Sequence, residues 1–221
     1  MFNCFCSVGI YQSILLVYPC LFAFSPSFFR CSRSSSATST TEPNIPSSEI
    51  SALQDFYNAA GGILWNWHYT GQIWDFSGNP NPCSEDWQGI LCSSQIEGST
   101  HIHVKALYLK SFDMFGYIPN SVALLKNLTT LNFYDNALYG TIPSSLATLQ
   151  YLEYLDLSEN SLTGSIPANI GTLMTSLAQL RLYNNYLTGI IPDSITQFED
   201  LIVLFLERMS LVMGGVWVEK G

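Results

Sequence analysis

The stretch LDLSENSLTGSIP at Leu155–Pro167 decides the fold, because its pattern, L-x-L-x-x-N-x-L-x-G-x-I-P, returns along the chain. It stands as LNFYDNALYGTIP at Leu131–Pro143, as LRLYNNYLTGIIP at Leu180–Pro192, and in degenerate form as LYLKSFDMFGYIP at Leu107–Pro119. The first leucines of these copies are 24, 24 and 25 residues apart, and 24 more residues lead to LFLERMSL at Leu204. Self-similarity at a fixed period predicts a stacked solenoid, whose coils bury their apolar edges against their neighbours.

Each letter of the repeat has a physical role. Leucines two apart, such as Leu155 and Leu157, lie on one side of a short strand and are predicted to face the core. An asparagine recurs once per coil, as Asn136, Asn160 and Asn185. Stacked amides of this kind can satisfy backbone groups where each coil leaves its strand. The following glycines permit a bend, and the prolines, which cannot donate to a ladder, end the extended pairing.

This repeat resembles the plant-type leucine-rich repeat, which ends in L-x-G-x-I-P. The resemblance implies an α/β solenoid: a short arc of four to five coils over residues 104–212, with a parallel concave sheet. The pattern decays at both ends, where Phe112 and Met209 take the asparagine position and Met213 takes the glycine position. Residues 213–221 match no cap, so we predict an irregular tail that ends in mid-repeat.

A helical segment precedes the repeats. Apolar residues recur at spacings of three and four from Ile50 to Ala60, with Ser47 or Ser48 as the predicted N-cap and Gly61-Gly62 as the end. Four tryptophans follow between Trp65 and Trp87. Together with PCSEDWQGILC, these features resemble the N-terminal capping domain of plant receptor-like proteins, predicted here for residues 47–103.

That resemblance implies a disulfide between Cys83 and Cys92, which would stabilise the cap by roughly 2–3 kcal/mol in the chain-entropy model. Such a bond needs an oxidising compartment. The alternative is that all six cysteines are reduced thiols in the cytosol. The tripeptide Asn127-Leu128-Thr129 is the predicted glycosylation acceptor.

Residues 1–29 contain a long uncharged, mostly apolar run, predicted to be a signal peptide or a membrane-associating signal anchor. A Ser/Thr-rich linker over residues 30–46 follows. No Lys or Arg precedes this run, whereas Arg30 and Arg33 follow it. A plastid-type targeting segment and a wrong start codon are therefore alternatives. The predicted location is secreted or membrane-associated, facing the cell exterior, with plastid or cytosol as alternatives.

Composition excludes several classes of function. The net charge of −9 offers no basic patch for phosphates, so we predict no nucleic-acid binding. His101 and His103 alternate on one strand without an evident third ligand, so no metal site or other cofactor is predicted, and His68 is read as a cap residue. Asp156 and Glu159 are expected to stay solvated and non-catalytic, and the chain is not predicted to be an enzyme.

Side chains between the strand leucines are predicted to point to the concave face. Aromatic, acidic and amide groups there suit binding to a peptide, glycan or protein. The predicted ligand-binding residues are Tyr108, Lys110, Asn132, Tyr134, Asp156, Arg181 and Tyr183. Next to these columns come Ser111, Asp135, Glu159, Asn184 and Arg208.

The resemblance implies a receptor-like recognition module in signalling or defence. Since no V-A-I-K or H-R-D kinase signature occurs, signalling would pass through a partner, such as a co-receptor kinase. One alternative is a secreted inhibitor of a cell-wall hydrolase, resembling polygalacturonase-inhibiting proteins. Another is a gene fragment without independent function.

Overall fold

The structure is a computed structural model, which describes residues 44–94 and 101–206 and the backbone of 210–212. The leader, most of the predicted linker and the 213–221 tail lie outside the described residues, as do Arg208 and Met209. The helices are α1 (Ser47–Ala59) and the short α2 (Ile170–Leu173). Single 3-10 turns cover Gly62–Leu64, Asn120–Leu124, Ser144–Thr148 and Asp193–Gln197.

The strands form two sheets. They are β1 (Ile90–Cys92), β2 (Val104–Tyr108), β3 (Phe115–Gly116), β4 (Thr130–Asn132), β5 (Ala137–Thr141), β6 (Tyr154–Asp156), β7 (Ser161–Gly164), β8 (Gln179–Arg181), β9 (Tyr186–Ile190), β10 (Val203–Phe205) and β11 (Ser210–Val212). In the described residues, the six-stranded sheet has the order β1-β2-β4-β6-β8-β10 and the five-stranded sheet the order β11-β9-β7-β5-β3.

The predicted solenoid is confirmed. Strands β2, β4, β6, β8 and β10 pair in parallel with the repeat leucines in register, so that Leu107, Leu131, Leu155, Leu180 and Leu204 follow one another. The first four of these leucines are fully buried. The coil that opens at Leu204 is therefore in register with the strict copies, although its strand is more exposed.

The asparagine ladder is also confirmed. In the third coil, Asn160 Nδ2 donates to the carbonyls of Phe133, Leu157 and Ser158 at 2.9–3.1 Å, while its Oδ1 accepts from the N–H of Leu138 at 3.0 Å. Since two of these partners belong to the preceding coil, each amide joins two coils. Asn136 and Asn185 repeat the arrangement.

Two features of the sheets were not predicted. The L-x-G segments themselves pair into the second sheet, instead of merely bending, before Pro119, Pro143 and Pro192 start 3-10 turns. Strand β1 of the cap also extends the first sheet antiparallel to β2. The cap thus covers the edge that the first coil would otherwise expose.

The predicted apolar face of α1 is confirmed, since Leu53, Phe56 and Ala60 are fully buried. The predicted serine N-cap is wrong. The helix begins on the carbonyl of Pro46, which accepts from the N–H groups of Glu49 and Ile50, and no side chain caps it. Pro46 occupies the N-cap position, so Ser47 and Ser48 lie inside the first turn of the helix instead of capping it.

The end of α1 packs directly on the second sheet. The carbonyls of Ala59 and Ala60 accept from the N–H groups of Tyr117 and Phe115 at 3.1 Å. Gly116 lies between these residues, and a Cβ built there would be 1.9 Å from the Ala59 carbonyl oxygen. Only glycine permits the helix end to approach β3 this closely.

An aromatic cluster joins the cap to the first coils. The rings of Phe56 and Phe133 stack at 4.8 Å, and Phe112 packs against Trp65 and Trp67 at 6.2 and 5.7 Å. The departure from asparagine at Phe112 therefore lets the first coil bury an aromatic ring against the cap. The Cys83–Cys92 disulfide implied by the resemblance is present, with Cα atoms 5.8 Å apart.

Candidate functional site

We use the term sheet face for the solvent-facing side of β2, β4, β6, β8 and β10. It comprises a central column, with one outward residue from each strand, and the residues two positions further along the chain. Strand pairing places the central column in one row across the coils. This row consists of Tyr108, Asn132, Asp156, Arg181 and Phe205. The predicted column is therefore brought together by the fold, whereas its binding role stays a prediction.

A second row contains the predicted residues Lys110, Tyr134 and Tyr183. The Lys110 Nζ lies 4.8 Å from the Tyr134 ring centroid, and the two tyrosine rings are 6.4 Å apart. Tyr134 and Tyr183 belong to the second and fourth coils. They meet because the equivalent residue of the third coil, Ser158, is small and fully buried.

The two rows meet at Phe205. The Phe205 ring lies 6.2 Å from that of Tyr183 and 5.7 Å from the guanidinium of Arg181. The same guanidinium lies 5.4 Å from the Tyr154 ring. Contacts between cations and aromatic faces are favourable, more so where water is partly excluded. The sheet face thus carries a continuous row from Lys110 to Tyr154, made of aromatic rings and two cations.

Asp156 corrects one prediction. It is not solvated but 3% exposed, so it is no free contact on the sheet face. Its carboxylate accepts from the Tyr154 hydroxyl at 2.9 Å and from the backbone N–H and hydroxyl of Ser158, and it lies 3.9 Å from Arg181. Asp156 therefore orients Tyr154 and Arg181 and does not itself face a ligand.

The environment of the tyrosines shifts their acidity. Burial, followed by the hydrogen bond to Asp156 and its negative charge, raises the pKa of Tyr154 to about 12. Burial also raises the pKa of Tyr134, with smaller effects from the Tyr183 hydroxyl and the carboxylate of Glu159. Both phenols are accordingly neutral hydrogen-bonding groups at physiological pH.

A polar edge borders the sheet face, and the sequence reasoning missed its backbone conformation. Ser111, Asp135, Glu159 and Asn184 adopt left-handed φ angles of 58°, 57°, 54° and 52°. The Ser111 hydroxyl donates to Asp135 at 2.7 Å, and the Asn184 amide donates to Glu159. The available signal was Asp135 and Asn184 directly before a repeat asparagine, since Asp and Asn adopt this region more readily than most other residues.

The histidines lie in the cap region, away from the sheet face. His103 Nδ1 is 2.6 Å from the carboxylate of Glu49, which also accepts from the Val104 N–H at 2.9 Å. The His68 ring packs against Phe112 at 4.9 Å. Within the described residues, no group of three His, Cys, Asp or Glu side chains is arranged to hold a metal ion.

The predicted glycosylation acceptor, Asn127, is half-buried in the turn before β4. Thr129 of the same tripeptide donates from its hydroxyl and its N–H to the Lys105 carbonyl at 3.2 and 2.8 Å. Its modification stays a prediction.

Parallel in-register coils, a ladder of buried asparagines and a capped first edge define a leucine-rich repeat solenoid. The family model for the Leucine Rich Repeat matches residues 127–149, 151–173 and 176–198. The chain thus contains leucine-rich repeats, and their pattern is of the plant type. No curated protein matches it by sequence.

Several solved structures similar to this chain are ectodomains of plant receptor kinases. One is the leucine-rich repeat ectodomain of the receptor kinase SOBIR1 from Arabidopsis thaliana, 25% identical, with a TM-score of 0.62, over 76% of this chain and 83% of that one. A chain of the BIR3–SERK2 complex from the same plant is 28% identical, with a TM-score of 0.59, over 75% and 83%.

A third similar structure is the ectodomain of the membrane receptor kinase GASSHO1/SCHENGEN3 from Arabidopsis thaliana, in complex with CASPARIAN STRIP INTEGRITY FACTOR 2. It is 34% identical, with a TM-score of 0.56, over 61% of this chain and 15% of that one. The fold of this chain is thus that of a receptor-like binding module. Among residues 44–94 and 101–206, no helix has both the length and the apolar character needed to cross a membrane.

Proposed function

We propose that this chain is a non-catalytic extracellular recognition module, which binds a peptide segment of a partner on its sheet face. One observation carries the proposal: the continuous row from Lys110 through Tyr134, Tyr183 and Phe205 to Arg181. Tyrosine and arginine are enriched among residues that dominate binding energy, because they offer large contact area with polar tips. Their mutual contacts limit the rotamer entropy that a ligand would have to remove.

The form of the row favours an extended ligand. It crosses all five coils along the solenoid axis, and a cation lies near each end. A peptide that runs along the row would stack on the rings and place carboxylates near Lys110 and Arg181, where the charge attraction is favourable. Peptide rather than glycan is proposed here because these cations sit in an otherwise acidic chain.

An extracellular location is supported by two observations. The Cys83–Cys92 disulfide suits an oxidising compartment. The SOBIR1 structure that this chain resembles is that of a receptor ectodomain. We therefore propose cleavage or anchoring of the 1–29 leader and signalling through a co-receptor kinase. Mass spectrometry of the mature N-terminus tests the location: retention of Met1 on a protein with a free Cys83 thiol would contradict secretion.

The binding role is tested with displayed peptides. A library of random peptides is selected on the wild-type chain, and enriched peptides are then titrated against Y134A/Y183A. We expect the double variant to weaken binding by roughly 30-fold or more, because hot-spot truncations cost about 2 kcal/mol or more. The matched control is Y117A/Y139A, which removes two exposed tyrosines from the second sheet. Equal binding to both double variants, or no enrichment at all, would rule the sheet face out.

A further inference from the structure

A second candidate site lies away from the sheet face, on the second sheet. It is an open groove of about 910 Å³, lined by residues of the G-x-I-P segments of the first three coils and of the turns that follow them. Its lining consists of Tyr117, Ile118, Pro119, Asn120, Tyr139, Gly140, Thr141, Ile142, Pro143, Ser144, Ser165 and Pro167. We call it the turn groove. Its volume is within the range of about 300–1,000 Å³ typical of ligand sites.

The chemistry of the turn groove is uncharged. None of the described residues that line it is acidic or basic, although the chain carries 17 acidic and 8 basic residues. A charged ligand would lose hydration there without gaining a counter-charge, which is unfavourable. Charge complementarity therefore selects a neutral occupant.

The groove is lined by both aromatic rings and hydroxyl groups. Tyr117 and Tyr139 are 50% and 44% exposed, and the Tyr139 ring is supported by Phe115 at 5.4 Å. Thr141, Ser144 and Ser165 add hydroxyl groups. The C–H faces of a sugar ring suit the negative faces of such rings, while its hydroxyls pair with side-chain hydroxyls and amides.

One donor is already oriented. The hydroxyl of Ser145 donates to Oδ1 of Asn120 at 3.0 Å and approaches its carbonyl oxygen at 3.3 Å. This bond occupies the amide oxygen, so that Asn120 offers its NH₂ group, fixed at the rim of the groove, to a hydroxyl oxygen. Such pre-orientation lowers the entropic cost of binding.

The backbone gives a peptide no strand to join. Strand β5, which forms the floor, pairs with β3 on one side and β7 on the other, and the Gly140 carbonyl accepts from the Thr163 hydroxyl at 3.2 Å. Addition of a peptide as an extra strand requires a free edge, which β5 lacks. Side chains, not ladder groups, therefore recognise the occupant.

We propose that the turn groove is a binding site for a neutral, linear oligosaccharide, separate from the peptide-binding sheet face. The glycan lies across the first three coils, stacks its sugar rings on Tyr117 and Tyr139, and donates and accepts at Thr141, Ser144 and Asn120. The two sites are on different sheets, so a glycan and a peptide partner can be bound together.

The test is a calorimetric or NMR titration of the full chain with cellohexaose, xylohexaose and mannohexaose. Two comparison ligands are the acidic hexagalacturonate and a neutral proline-rich peptide. We expect at least one neutral hexasaccharide to bind with a dissociation constant of about 1 mM or tighter, and hexagalacturonate to bind more weakly than that sugar. Y139A should weaken the sugar by roughly tenfold or more, because the stacking face is lost.

Two further variants keep the test decisive. T141V removes a hydroxyl at nearly constant shape and should weaken the sugar several-fold, whereas Y134A/Y183A on the sheet face should leave it unchanged. Thermal melts establish that each variant is folded. The proposal is overturned if no neutral sugar binds, if Y139A and T141V bind it as wild type does, or if the proline-rich peptide alone occupies the groove. None of these outcomes bears on peptide binding at the sheet face.

Discussion

Substitution of Asn160 by alanine tests whether the asparagine ladder holds the coils together. The side chain is 7% exposed and makes four hydrogen bonds, to the carbonyls of Phe133, Leu157 and Ser158 and from the N–H of Leu138. Alanine leaves these buried backbone groups without that partner. A typical buried hydrogen bond contributes about 0.5–1.5 kcal/mol, and orphaned groups cost more.

The magnitude follows from the geometry. Asn160 Nδ2 has two hydrogens for three carbonyls, so one hydrogen is shared and the four contacts amount to about three full bonds. We expect N160A to lower the free energy of unfolding by about 3 kcal/mol. For a chain of this size, that loss lowers the Tm by roughly 6–12 °C.

The assay is urea and thermal unfolding followed by circular dichroism, with amide hydrogen exchange at Leu138 as the local readout. The control is N132A, because Asn132 Oδ1 accepts one bond, from the Tyr134 N–H, on the half-buried sheet face. This control should cost under about 1 kcal/mol. If N160A costs no more than N132A, or Leu138 exchanges as slowly as in the wild type, the ladder does not couple the coils.

Three other outcomes are expected. Replacing Cys83 and Cys92 by alanine should lower the free energy of unfolding by about 2–3 kcal/mol, measured by urea titration, and no loss would contradict a structural disulfide. E49A leaves the Val104 N–H without its carboxylate acceptor, so α1 should become proteolysed faster while the coils stay folded; uniform unfolding would be contrary to this. Tyr154, with its pKa raised to about 12, should ionise later than ordinary tyrosines in an ultraviolet titration. The neutral Tyr154 phenol therefore contributes its full stabilisation of the fold below about pH 10, and this contribution is lost progressively up to about pH 12. Y154F should remove this pH dependence.

The repeating parts of the fold could be predicted from the sequence because the same physics acts in every coil. The period fixed which leucines pair, and Asn136, Asn160 and Asn185 bond as their spacing indicates. The disulfide followed from a family resemblance. The spacing of Cys83 and Cys92 does not by itself predict that they pair. Composition alone would therefore have left open the alternative of reduced thiols in the cytosol.

The parts that sequence missed depend on neighbours that are distant in the chain. Asp156 occupies an outward strand position, yet Tyr154, Ser158 and Arg181 cover it, and no single-strand pattern contains that information. The predicted serine N-cap is wrong for a different reason, since the helix starts at Ser47 and Pro46 takes the N-cap position. The turn groove likewise exists only because three copies of the G-x-I-P segment lie side by side.

The asparagine ladder also has a mechanical consequence. Its inter-coil bonds, like those of both strand ladders, run along the solenoid axis, so tension on the chain ends would load them one coil at a time. The coil farthest from the cap should peel away first, and each complete 24-residue coil that follows should release roughly 80 Å of contour length. The Cys83–Cys92 bond would limit extension at the opposite end. A module built this way yields to force in uniform steps, each the length of one repeat.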